Sequence, residues 1–212
     1  MSTSTSQREN SAHQAWVLAV VAGFSDTVGF LTWGAFAGLM SGNSVLLGIA
    51  LAAGQMGDAL HRFGIIAAFL SGIAVATILT RKAIPLPGLV AIEATILLLA
   101  AVLPVEVSAP MLGLAMGIQN AMATQFGGLT LNTVFITGDL QKLVQAFAGR
   151  IGRSPKTKTP SDHAGTIIGL WLFYLSGAAL GAVAHAHFAH PLLFAPLLLL
   201  IVLVRFPKFT AR

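Results

Sequence analysis

The stretch Gln14-Ala15-Trp16-Val17-Leu18-Ala19-Val20-Val21-Ala22-Gly23-Phe24-Ser25-Asp26-Thr27-Val28-Gly29-Phe30-Leu31-Thr32-Trp33 decides the fold. A helix needs about 20 mostly apolar residues to cross a bilayer, and this run supplies them. Trp16 and Trp33 bracket it. The separation of those two rings along a helix, about 25 Å, suits anchors at two membrane interfaces. Ser25-Asp26 interrupts the run and no small-residue cleavage site follows, so it reads as a retained span and not a removed signal peptide. Asp26 sits near its centre, where an ionised carboxylate costs at least about 2.5–3.5 kcal/mol. Intramembrane ionisable groups of this kind are functional by default.

The rest of the chain has the same character. Of its 212 residues 56% are apolar and 9% charged, with a mean hydropathy of +0.83. A soluble domain carries about a quarter charged residues, so a soluble enzyme, a nucleic-acid-binding module and a disordered chain are excluded. The pI of 10.3 fits basic loops flanking membrane spans. With no cysteine, disulfide scaffolds, thiolate metal sites and cysteine nucleophiles are excluded as well.

Apolar segments are expected at 14–33, 35–57, 62–80, 86–105, 108–126, 129–149, 165–185 and 189–206. The second and sixth are interrupted by polar residues and glycine. Residues 1–13 read as a disordered cytoplasmic tail, 150–164 as a basic cytoplasmic linker and 207–212 as a second short tail. With eight spans, nine Lys and Arg (Arg62 among them) share a side with the termini, and Arg81 and Lys82 lie opposite. If the second and sixth segments are re-entrant, six spans remain and the split becomes ten against one, with Arg62 outside. Either count places the linker and both termini in the cytoplasm. The fold expected is therefore an all-α polytopic membrane protein with six to eight transmembrane segments.

The chain also repeats itself. Gly23-Phe24-Ser25-Asp26 aligns with Gly117-Ile118-Gln119-Asn120, and Met40-Ser41-Gly42-Asn43 aligns with Ile136-Thr137-Gly138-Asp139. Further on, Phe69-Leu70-Ser71-Gly72 matches Tyr174-Leu175-Ser176-Gly177, and Pro85 matches Pro191. Four matches in one order predict two membrane repeats, 14–106 and 107–206. Four spans per half make them parallel; three spans and a re-entrant segment make them inverted. Transporter folds use both arrangements, with the site near the midplane where the repeats meet.

Each half supplies one Asp and one Asn in opposite order: Asp26 and Asn43, then Asn120 and Asp139. The triplets Ser41-Gly42-Asn43 and Thr137-Gly138-Asp139 predict broken or re-entrant helices at 40–43 and 136–139. Non-helical backbone at membrane depth is tolerated only where it is buried or lines a cavity. The candidate substrate- or ion-binding residues are thus Ser25, Asp26, Ser41, Gly42, Asn43, Gln119, Asn120, Thr137, Gly138 and Asp139. Lys142 and Glu93 are candidate charge partners. Leu70-Ser71-Gly72 and Leu175-Ser176-Gly177 offer small residues for close helix packing.

The run His185-Ala186-His187-Phe188-Ala189-His190 does not put three imidazoles on one helical face, so no metal site is expected. No Gly-x-Ser-x-Gly, His-Glu-x-x-His or Walker pattern occurs. Neither enzymatic chemistry nor a cofactor is expected.

Taken together, Ala22-Gly23-Phe24-Ser25-Asp26, Val28-Gly29-Phe30, Met40-Ser41-Gly42-Asn43, Gly117-Ile118-Gln119-Asn120 and Val134-Phe135-Ile136-Thr137-Gly138 resemble the YoaK-like family. That is a bacterial group of membrane proteins classed as a domain of unknown function. The resemblance covers about residues 14–206 and implies a bacterial inner-membrane location but no activity. Members more often carry Thr-Gly-Asn where this chain has Ser41-Gly42-Asn43, and Asp139 and Lys142 are less clearly part of the pattern. From the residues themselves, the expected function is a small secondary transporter or permease for a small polar solute, with Asp26 and Asp139 as proton or cation acceptors. The alternatives are a non-catalytic membrane scaffold or interaction subunit, or a channel. The expected partners are the bilayer and a small molecule, without nucleic acid; a homo-oligomer is compatible.

Overall fold

A computed structural model describes residues 2–122, 125–126, 129–130, 133, 138, 140–141, 144–145 and 164–205. The described part is helical apart from two paired two-residue strands, Gln125–Phe126 and Leu129–Thr130. The helices are α1 (Ser2–Trp33), α2 (Met40–Ala52), α3 (Met56–Arg81), α4 (Leu86–Ala100), α5 (Val105–Met122), α6 (Ala164–His187) and α7 (Phe194–Arg205). A short 3-10 turn, Pro191–Leu193, leads into α7.

Among the described residues, three helical stretches are long and apolar enough to cross a membrane: residues 12–33 of α1, α3 and α6. Shorter apolar helices lie at 40–52, 86–100 and 191–201. Helix α1 reaches back to Ser2, where the polar composition predicts a disordered tail. Residues 2–13 contain neither Gly nor Pro, so nothing in the backbone stops the helix from extending into them.

The interruption in the second segment falls at 34–39, a few residues earlier than the triplet predicts. Gly34 ends α1 with a positive φ of 65°, a left-handed helix stop that glycine adopts without strain. Its carbonyl oxygen accepts a hydrogen bond from the Arg62 guanidinium, which places a cation at the negative end of α1. The chain then folds back along α1, and Gly38 arrives beside Asp26, two turns below the end of that helix. Helix α2 starts there, so Ser41-Gly42-Asn43 forms its first turn rather than the break itself. The second predicted break lies almost wholly outside the described residues.

Close glycine contacts fix the helix directions. Along α1 and α6, Gly169 abuts Trp16, Gly177 abuts Val20, Gly23 abuts Tyr174, and Gly181 abuts Phe24 and Thr27. Residue numbers rise together, so α1 and α6 are parallel. Trp16 is drawn into this contact: its Nε1 donates to Thr166 O at 3.1 Å and its ring stacks on Phe173. Along α3 and α5, Gly113 abuts Ile65, Gly117 abuts Phe69, and Gly72 abuts Leu114 and Ile118. That pair is parallel too. Between α1 and α5 the order reverses, since Gln119 bonds Leu18 while Leu112 packs on Gly29. Helix α1 therefore runs against α3 and α5.

The core is built from α1, α4, α5 and α7. Helix α5 packs against α1 and α4, and α7 packs against the same two. Their facing residues Leu18, Ala22, Leu89, Leu97, Leu112, Met116 and Leu199 are buried. Helix α3 covers α5 from outside, as α6 covers α1. Both outer helices expose apolar side chains such as Leu70, Val75, Leu172 and Leu180, as lipid-facing helices do.

Candidate functional site

Asp26 is 3% exposed, and both its oxygens are engaged. Oδ1 accepts from Gly38 N at 2.6 Å and Leu39 N at 3.3 Å, and Oδ2 accepts from the Tyr174 hydroxyl at 2.6 Å. One carboxyl group thus ties three pieces together: its own helix, the folded-back loop, and α6. The donors are backbone N–H groups and a phenol.

Asn43 works on the same loop from the other side. Its Oδ1 accepts from Phe36 N at 2.8 Å and its Nδ2 donates to Phe36 O at 2.8 Å. This two-point clamp satisfies a stretch of backbone that no helix or sheet ladder pairs. The Phe36 ring stacks on Phe30 with centroids 4.7 Å apart. Leu39, the residue that precedes α2, supplies no side-chain cap, so the loop is held by Asp26 and Asn43. Gly42 has a local purpose as well, since a Cβ there would come 2.9 Å from the Phe36 ring. Ser41 is exposed.

A second group of polar residues is buried without such engagement. Ser25 is fully buried and its Oγ has no hydrogen-bond partner among the described residues. Gln119, also fully buried, donates through Nε2 to Leu18 O at 3.0 Å and to Thr133 Oγ1 at 3.3 Å. Because the Leu18 carbonyl can only accept, this fixes the amide orientation, and Gln119 Oε1 points elsewhere with no partner. Asn120 Oδ1 and both Glu93 oxygens are buried and unpartnered in the same way. Orphaned buried polar atoms are costly and rare in native proteins. The oxygens come from α1, α4 and α5, three of the four core helices; the other such atom among the described residues is Arg62 Nε on α3.

Of the other predicted residues, Gly138 is exposed, with nothing within 4 Å of where a Cβ would stand. Thr137, Asp139 and Lys142 lie outside the described residues, and with them any pairing of Asp26 with Asp139. Sequence reasoning missed Tyr174, the only tyrosine in the chain. The signal available was a mismatch: its repeat position in the first half is Phe69, which lacks a hydroxyl. Thr133, buried and accepting from Gln119 Nε2, was missed too. Near the end of α6, Thr32 Oγ1 and His185 Nδ1 lie 3.3 Å apart. No cluster of three metal-ligating His, Asp or Glu forms among the described residues.

Residues 14–205 match a family described as a protein of unknown function, DUF1275. The chain belongs to this family. It is also similar to the UPF0700 transmembrane protein YoaK of Bacillus subtilis (strain 168), with 27% identity over 198 residues, 87% of this chain and 88% of that protein. No solved structure matches. Membership in DUF1275 and the transmembrane relative agree with the apolar helices: this is a membrane protein. The match spans α1 through α7, so the loop held by Asp26 and Asn43 and the unpartnered polar residues all lie within the family's extent.

Proposed function

We propose that the protein is a small secondary transporter for a small polar solute, built from two inverted halves of three spans each, the first with a half-helix between its first two spans. The observation that carries this reading is a helix contact made twice with the halves exchanged. Gly23 of α1 packs on α6 beside Gly177, and Gly117 of α5 packs on α3 beside Gly72. In the repeat alignment Gly23 corresponds to Gly117 and Gly72 to Gly177. The first helix of each half thus pairs in parallel with the third-segment helix of the other.

The directions support inversion. If α1 runs outward, α3 and α5 run inward and α6 runs outward with α1. Helices α4 and α7 return between them. The chain then crosses six times, as α1, α3, α4 and as α5, α6, α7, and the second set has the opposite sense. Helix α2, of 13 residues and about 20 Å, starts at the depth of Asp26 and leaves on the side where α1 ended. Arg81 and Lys82, at the end of α3, join the other cytoplasmic cations, and Arg62 alone lies outside.

Inverted repeats with interrupted segments place a solute near the midplane between the halves. Here that region holds the uncommitted oxygens of Ser25, Gln119 and Asn120, while Asp26 and Asn43 hold the half-helix in place. The test is thermal unfolding of detergent-purified protein against a library of small metabolites. A solute at 100 times its dissociation constant stabilises the folded state by about 2.7 kcal/mol. A hit lost in Asn120→Ala and reproduced as saturable counterflow in proteoliposomes is the expected result. A broad library without a hit, together with loss of cellular function only when linker 150–164 is deleted, would overturn the carrier in favour of a scaffold.

A further inference from the structure

Four features stand outside the loop-holding machinery: the lone buried carboxyl of Glu93, the unpartnered Ser25 Oγ, the unpartnered Gln119 Oε1, and the histidines at the end of α6. The first three share a depth. Gly29 packs on Leu112 and Leu18 bonds Gln119, which sets Ser25 opposite about residue 115 of α5. The four-residue connection 101–104 makes α4 and α5 an antiparallel hairpin, so Glu93, seven residues before Ala100, faces about residue 112. Helical side chains lean toward their own N-terminus. Glu93 and Ser25 therefore lean toward the level of residue 116, and Gln119 leans back to meet them there.

All three side chains are fully buried, and none bonds another. Every uncommitted atom among them is an oxygen, and only one belongs to an acid. The remaining titratable residues on the elements packed against α4 are remote along their helices. Glu106 is in the first turn of α5, Arg205 ends α7, and Asp58, His61, Arg62 and Arg81 lie toward the ends of α3. No cation of the described protein faces Glu93. An unpaired carboxyl group in such a place is neutralised either by its own proton or by a bound cation.

We propose that Glu93, Ser25 Oγ and Gln119 Oε1 form a binding site for a dehydrated monovalent cation at the junction of α1, α4 and α5. It rests on the carrier reading above and names its coupling ion class. Oxygen-only ligands suit a hard cation, and a single carboxyl group matches a single positive charge. The site is distinct from the Asp26–Tyr174 tie, whose oxygens are already filled.

The experiment titrates purified full-length protein with sodium, potassium or ammonium chloride, replacing choline chloride at constant ionic strength, and follows the melting temperature. The expected result is a saturable rise of several degrees with at least one of the three ions, abolished in Glu93→Gln. Ser25→Ala removes an oxygen that bonds nothing among the described residues, so the variant should fold as wild type. Losing that ligand should raise the half-saturating concentration at least about tenfold. No saturable rise with any of the three ions, or the same rise in Glu93→Gln and Ser25→Ala as in wild type, overturns the site. Because no solute is present, a failed solute screen leaves this result standing. A solute hit that persists unchanged in choline chloride removes the cation without removing the carrier.

Discussion

Adding one methyl group to the glycines at the helix crossings probes the exchanged contact directly. An ideal Cβ at Gly117 would collide with the carbonyl oxygen of Phe69 and stand 3.1 Å from Gly72 Cα. At Gly23 it would collide with the Tyr174 carbonyl and stand 3.1 Å from Ala178 N. These obstacles are backbone, which cannot rotate away, so each pair of helices must separate along its length. Overpacking of this kind costs about 1–3 kcal/mol. At about 3 °C per kcal/mol for a chain of this size, Gly117→Ala and Gly23→Ala should each lower the melting temperature by about 3–9 °C. Gly48 and Gly64 are the controls, because a Cβ at either meets nothing within 4 Å. There alanine should be neutral or stabilise by up to about 1 kcal/mol through helix propensity. The assay is thermal melting in one detergent, with all four variants measured beside wild type. Equal melting of Gly117→Ala and Gly64→Ala would refute the close approach of α3 and α5.

Three further outcomes concern the folded-back loop. Asp26→Ala strands two backbone N–H groups and the Tyr174 hydroxyl, and should lower stability by at least about 2 kcal/mol, read as a melting shift. Asp26→Asn keeps an acceptor toward Gly38 and turns an amide donor toward Tyr174, so it should melt much closer to wild type. Asn43→Ala leaves the N–H and carbonyl of Phe36 unpaired at once; faster hydrogen exchange in residues 36–42, with α6 unchanged, is the expected signature.

Much of this arrangement is legible in the residues and some is not. The apolar runs and the prominence of Asp26 and Asn43 follow from local pattern, because span length and intramembrane charge are properties of short windows. Their bonding is not local. Asp26 finds Tyr174 148 positions away, and no window contains both. The break is offset for a related reason: glycine and asparagine signal special backbone, yet Gly34 makes the stop while Asn43 reaches back to clamp the loop. Arg62 reads in sequence only as a charge to be counted on one side or the other. In the fold it closes the carbonyl end of α1. Glu93 looks isolated in sequence since its depth partners lie on α1 and α5, and only helix direction brings them level.

The inverted architecture is tested most directly by single-cysteine accessibility, for which the chain offers a clean background with no native cysteine. Gly57→Cys, Lys82→Cys and Val102→Cys are placed in turn and labelled in intact cells with a membrane-impermeant maleimide. Six spans with a half-helix predict that Gly57 and Val102 label from outside, while Lys82 labels only after lysis. Eight spans predict the reverse at all three positions, and that pattern would contradict the account.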